Sequence, residues 1–117
     1  MAVSPSYRTF ILEQLSRCTT GVRARSMFGG VGIYGGDLFF ALMDDDMLYF
    51  KVDEQNRPAF EALGMGPFRP PGYEVTSMNY YEVPTDLVED VEALKPWVDG
   101  ALAAAARKKK RPSSRKR

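Results

Sequence analysis

The chain has 117 residues, 44% hydrophobic and 26% charged, which fits one domain and leaves no room for two. Its net charge of +1 hides a division: residues 1–106 hold all 15 acids against eight bases, a net of −7, while residues 107–117 hold eight bases and no acid. No histidine occurs, which excludes the usual general base at neutral pH, the usual zinc ligand and any Ser-His or Cys-His nucleophile pair.

Ser4 followed by Pro5 reads as a helix start, because serine caps free amides and proline is tolerated in a first turn. Tyr7, Phe10, Ile11, Leu15 and Cys18 recur at helical spacing and predict one apolar face. Thr19, Thr20 and Gly21 end that helix. Val22 to Met27 then alternates small or apolar residues with charged ones, as a strand with one wet face does. Gly29 and Gly30 permit a sharp turn or bulge, and Val31 to Tyr34 is a short strand. Gly35-Gly36 makes a hairpin turn into a buried strand, Leu38 to Met43. Asp44-Asp45-Asp46 is a turn, and Met47 to Val52 pairs back.

Pro58 cannot sit deep in a helix, so a cap at Asn56 and a short helix over Arg57 to Leu63 are expected, with Gly64 as its C-cap. Residues 64–72 carry three prolines and three glycines and read as a loop. Tyr73 to Val75 and Met78 to Val83 read as two more strands. Thr85 to Ala106 is helical, with a kink or break expected just before Pro96. From Arg107 onward like charges, Pro112 and two serines offer nothing to bury, so 107–117 is expected to be a disordered basic tail on a 1–106 domain. The fold class is therefore α+β: an antiparallel sheet of about five or six short strands with an N-terminal, a short middle and a C-terminal helix packed against it.

Several groups of residues suggest chemistry and fail its requirements. Gly30-x-Gly32-x-x-Gly35 matches a dinucleotide fingerprint by letters, but that fingerprint needs a helix N-terminus to hold pyrophosphate, and a strand follows here. Hairpin glycines are the better account. Counting from Asp44, an EF-hand loop would need glycine and glutamate where Tyr49 and Gln55 stand. Cys18 has no CxxC partner and reads as a small apolar residue. One cysteine suits a reducing compartment, and Met1 to Tyr7 lacks the charge and apolar core of a secretory signal, so a cytoplasmic location is expected. Glu74 and Glu82 read as surface charges on neighbouring strands. Tyr80 and Tyr81 must point to opposite faces, leaving one of them available to a partner. No catalytic residue, metal or cofactor is expected.

Four segments carry a resemblance. They are Arg25 to Gly30 with Val31 to Tyr34; Leu38 to Leu42; Leu48 to Asp53 with Asn56-Arg57 and Phe60-Glu61; and Met78 to Pro84. Their order and spacing, over roughly residues 5–106, resemble the N-terminal domain of the TfoX/Sxy family, regulators of natural competence. The resemblance implies an antiparallel sheet with helices against it. It also implies a role in promoting transcription of competence genes together with other regulators, without catalysis. Longer members carry a further C-terminal domain, to which the resemblance does not extend.

The leading functional expectation is a non-enzymatic regulatory module that binds a protein partner. Arg107, Lys108, Lys109, Lys110, Arg111, Arg115, Lys116 and Arg117 would contact nucleic acid weakly and without sequence preference. No aromatic residue interleaves with those charges, so base stacking is not expected from this segment. Arg23, Arg25 and Tyr81 form the candidate partner surface. In the competing readings, the same three residues line a small-molecule or enzymatic pocket between sheet and helices, or the chain is a homodimer that buries an exposed strand edge or apolar patch.

Overall fold

Ser4 starts the first helix as expected, its hydroxyl accepting the Tyr7 N–H at 3.3 Å, and α1 runs Pro5–Cys18. The computed structural model describes residues 3–27, 30–69 and 77–110. The predicted strand Tyr73–Val75, the glycine at 29, Glu74 and the tail from 111 lie outside the described residues. Helix α1 buries Ile11, Gln14, Leu15 and Cys18. Phe10, expected on that face, is instead 38% exposed. Gln14 occupies the buried position because its Nε2 donates to the Val88 carbonyl at 2.8 Å, which satisfies an amide that burial would otherwise penalise.

Strands β1 (Val22–Met27), β2 (Gly30–Gly35), β3 (Leu38–Asp44) and β4 (Met47–Lys51) form an antiparallel meander. Helix α2 (Arg57–Ala62) follows, then the short β5 (Pro67–Phe68), β6 (Ser77–Glu82), α3 (Thr85–Val88) and α4 (Val91–Lys110). The sheet order is β1-β2-β3-β4-β6-β5, antiparallel throughout. The fold is α+β.

Strand β5 falls inside the segment expected to be loop. It is held by Phe68 against Tyr49, ring centroids 4.7 Å apart, and by the Glu82 N–H donating to the Gly66 carbonyl at 3.0 Å. Asn56 precedes α2 as expected, but its side chain caps no helix amide. Its Oδ1 accepts the Asp53 N–H at 2.7 Å and its Nδ2 donates to the Lys51 carbonyl at 3.0 Å, pinning the β4–α2 corner.

The C-terminal helical region breaks at Glu89 and Asp90, not before Pro96. Asp90 Oδ1 accepts the Ala93 N–H at 3.2 Å and starts α4 afresh. Pro96 then sits within the helix. Pro96 and Glu92 are both exposed, so water reaches the carbonyl that the missing N–H leaves unbonded. Helix α4 also continues to Lys110, past the expected domain boundary at 106 and into the segment expected to be disordered.

Leu38 to Met43 is not buried on both faces. Tyr34 pairs with Phe39 and Ile33 with Ala41, which leaves Phe40 as an extra residue. This bulge lets Phe40 and Ala41 both reach the core, each 0% exposed, while Phe39 turns to the other face. The helix-side face buries Ile33, Phe40, Met43, Leu48 and Phe50 against Ile11 and Leu15 of α1 and Leu94 and Val98 of α4.

The glycines of β2 are consumed by packing. A Cβ on Gly30 would come within 2.5 Å of the Met43 carbonyl oxygen, and one on Gly35 within 3.0 Å of Leu102. Gly30→Ala is expected to destabilise the fold by about 2 kcal/mol, since backbone must move apart to admit the methyl group. Urea unfolding read by circular dichroism measures it. An unchanged midpoint would mean that the β2–β3 spacing is not the constraint described.

Candidate functional site

The sheet face turned away from α1 and α4 carries a row of rings. The register aligns Arg23, Tyr34 and Phe39 across β1, β2 and β3, and Lys51 with Tyr80 across β4 and β6. The Arg23 guanidinium lies 4.9 Å from the centre of the Tyr34 ring. Tyr34 stacks on Phe39 with centroids 5.1 Å apart, and Phe39 meets Tyr80 at 5.7 Å. Lys51, on β4 between the strands that carry Phe39 and Tyr80, places its ammonium 5.0 Å from the Tyr80 centroid. All three rings are half-buried. Burial, with Tyr34 adding to it, pushes the Tyr80 hydroxyl up to about 12, so it remains protonated.

Lys51 is 5% exposed although it is charged. Burial lowers its pKa, and nearby Lys108 lowers it further against the opposing pull of Asp53. The C-terminal turns of α4 bring the basic residues to this end of the sheet. Arg107 makes a two-pronged ion pair with Asp53, Nε to Oδ2 at 2.6 Å and Nη2 to Oδ1 at 2.8 Å, and Lys109 pairs with Asp37. Two hollows flank Lys51. One, of about 480 Å³, is lined by Lys51, Asp53, Arg57, Asn79, Arg107 and Lys108 among others. The Arg57 Nε there is buried without a hydrogen-bond partner among the described residues. The other, of about 370 Å³, includes Phe39, Lys51, Asn79, Tyr80, Lys108 and Lys109.

The three residues expected to form one partner surface are not together. Arg23 and Arg25 are exposed on β1, with Arg23 Nε also donating to the Gly36 carbonyl at 3.3 Å. Tyr81 lies on β6, with three strands between it and β1, and its pairing with Phe50 turns it into the core. Tyr81 is 2% exposed and its hydroxyl donates to Glu61 Oε2 at 3.0 Å. It cannot meet a partner or share a pocket with the two arginines. Tyr80 is the member of the pair on the open face. Of the expected basic contacts, Arg107 is occupied by Asp53 and Lys109 by Asp37, while Lys108 lines both hollows. Arg111, Arg115, Lys116 and Arg117 lie outside the described residues.

Sequence reading passed over Lys51, Phe39 and Asn79 as site residues. The available signal was a lone cation in the otherwise apolar strand Met47–Val52. Cys18 is 4% exposed, and burial raises its thiol pKa, the setting of a packing residue. Among the described residues, no group of three or more His, Cys, Asp or Glu side chains could hold a metal ion, and no helix is long and apolar enough to cross a membrane.

The family model for the TfoX N-terminal domain matches residues 13–105. The chain belongs to this family. It is also 38% identical over 66 residues to the DNA transformation protein TfoX1 of Aliivibrio fischeri, a match that covers 56% of this chain and 31% of that relative. The matched span includes the whole sheet and most of α4, and so the open aromatic row.

The Arg107 pair holds the Asp53 carboxyl down at about 2, well below its ordinary value near 3.9. A depressed carboxyl adds stability that is complete above about pH 4 and fades as the pH falls toward 2. Asp53→Asn is expected to cost about 1 kcal/mol at neutral pH, because the pair is partly solvated, and to flatten that acid limb. Urea unfolding across pH 2–7 tests both. An acid limb identical to the parent's would show that Asp53 does not carry it.

Proposed function

We propose that this domain is a non-enzymatic regulatory module of DNA uptake that works by binding a protein partner, with its basic C-terminal segment touching nucleic acid. Membership of the TfoX family, with a relative called a DNA transformation protein, supports the uptake role. The geometric support is the path of α4. The Asp53–Arg107 pair anchors its last turns beside the sheet, and the basic run from Lys108 proceeds from that anchor. At this end Asp53 and Asp37 are paired with Arg107 and Lys109, and a cluster of three acids lies elsewhere. Asp44, Asp45 and Asp46 form the turn at the far end of β3, roughly 20 Å away along the strand. A polyanion approaching the cationic end therefore avoids that cluster.

A chain ending at Lys110 keeps the Arg107 anchor and loses Arg111, Arg115, Lys116 and Arg117. Its melting temperature is expected to stay unchanged. The slope of log affinity for duplex DNA against log salt should become shallower by about 3–4, in line with four lost phosphate contacts. An unchanged slope removes the tail from the reading. From an extract of the native cells, the full chain is expected to retain a protein partner after nuclease treatment. Failure to retain any protein would remove the partner half.

A further inference from the structure

We propose that the hollow of about 480 Å³ between β4, the start of α2, β6 and the last turns of α4 binds a small phosphate monoester, its phosphoryl oxygens met by Lys51, Arg57, Asn79 and Lys108. Such a site is separate from the protein partner and the basic tail proposed above.

Lys51 is 5% exposed, yet its ammonium has no carboxylate within ion-pair distance among the described residues. The Tyr80 ring, 5.0 Å away, covers one side of it. An ammonium carries three N–H donors, and a ring face does not use them all. Burial and Lys108 both lower the Lys51 pKa, and Asp53 pulls the other way. Both Asp53 oxygens are already taken by Arg107, however, and one of them also accepts the Gln55 N–H. An arriving anion stabilises the charged form that burial disfavours.

Arg57 is an independent observation. It lines the same hollow from α2, and its Nε is buried with no acceptor among the described residues. A buried donor left so is rare in folded proteins. Glu61, one turn along α2, accepts the Tyr81 hydroxyl at 3.0 Å and makes no ion pair with Arg57. No acceptor therefore pins the guanidinium, and a modest turn lays its fork on an oxyanion. The exposed Asn79 carboxamide on β6 adds an uncharged donor.

Charge names the class of ligand. Arg107 and Asp53 cancel one another through their two-pronged pair. Lys51, Arg57 and Lys108 then face one exposed carboxylate, Glu54, which leaves two positive charges in excess. A phosphate monoester brings about 1.5–2 negative charges and three strong acceptor oxygens. It also enters end-on, terminal oxygens first, as reaching so buried a lysine requires. A backbone diester carries one charge and is flanked on both sides by sugar, so it meets Lys108 at the surface and not Lys51. The volume falls within the roughly 300–1,000 Å³ of small-ligand pockets, which leaves room for the organic part of the ester.

Titrating the isotope-labelled full chain with methyl phosphate, at low salt in a buffer free of other phosphate, tests the site through its backbone amide resonances. Saturable shifts are expected at Val52, Arg57, Asn79 and Lys108, with a dissociation constant below about 1 mM. Dimethyl phosphate stands in for a nucleic-acid backbone and should bind at least about tenfold more weakly, having lost one charge. Lys51→Met keeps most of the stem and removes the ammonium, and is expected to weaken methyl phosphate binding at least about tenfold. Should Lys51→Met unfold, Lys108→Met carries the same test from an exposed position. The chain ending at Lys110 keeps all four residues and should bind within about twofold of the parent. Parental affinity in both methionine variants, or a dissociation constant above about 1 mM, overturns the proposal. Equal binding of the two phosphates refutes a monoester site. Shifts confined to 111–117, or lost on truncation, place the anion on the tail and dismiss the hollow.

Discussion

Helix α4 reaches the sheet through Leu94, Val98, Ala101 and Ala105, all of them buried. Small side chains at 101, 104 and 105 bring the helix axis close to β3 and β4, and Gly35 leaves room for Leu102. Burying Leu94 and Val98 contributes about 1.5–3 kcal/mol each. This contact fixes more than the core. It commits one face of the sheet to helices and leaves the other face open. It also carries the basic end of the helix to the strand ends where Lys51 and Asn79 lie.

The same contact explains why the Asp53–Arg107 pair matters despite its modest energy. A partly exposed ion pair contributes about 1 kcal/mol at most. Its geometric effect is larger, because two parallel hydrogen bonds fix the direction of the last helical turns. Asn56 prepares the acceptor. By holding the Asp53 amide and the Lys51 carbonyl, it sets the corner on which the carboxylate stands. The Gln55 N–H donates to Asp53 Oδ1 at 2.9 Å as well. A strand end, a side-chain clamp and a helix end thus converge on Lys51.

Much of this was legible in the residues. The change from helical spacing at Tyr7–Cys18 to alternation at Val22–Met27, and the Gly and Asp turns at 36 and 44–46, gave β1 to β4 nearly to the residue. Where reading failed, a specific force had been misjudged. Pro96 was expected to break a helix, but the stronger signal was Asp90, which caps one. The basic run at 107 was taken as the end of order. Cations in a last helical turn in fact suit the helix dipole, and no glycine or proline intervenes before Pro112. Tyr80 and Tyr81 were known to face opposite ways. Which one was open depended on pairing with Phe50, a long-range register that no local pattern encodes. The bulge at Phe40 is the same kind of case, since it appears only once β2 is laid beside β3.

The open face itself runs against the usual pattern. An antiparallel sheet covered on one side ordinarily turns polar residues to water on the other. Here that side carries Tyr34, Phe39, Leu42, Tyr49 and Tyr80, all half-buried. Cross-strand ring pairs return about 0.2–1 kcal/mol each, a gain that threonine or valine pairs supply at similar scale with no ring. Stability alone therefore does not select aromatics in a row. Nor does it select a 5% exposed lysine between Phe39 and Tyr80, since burying that charge opposes folding.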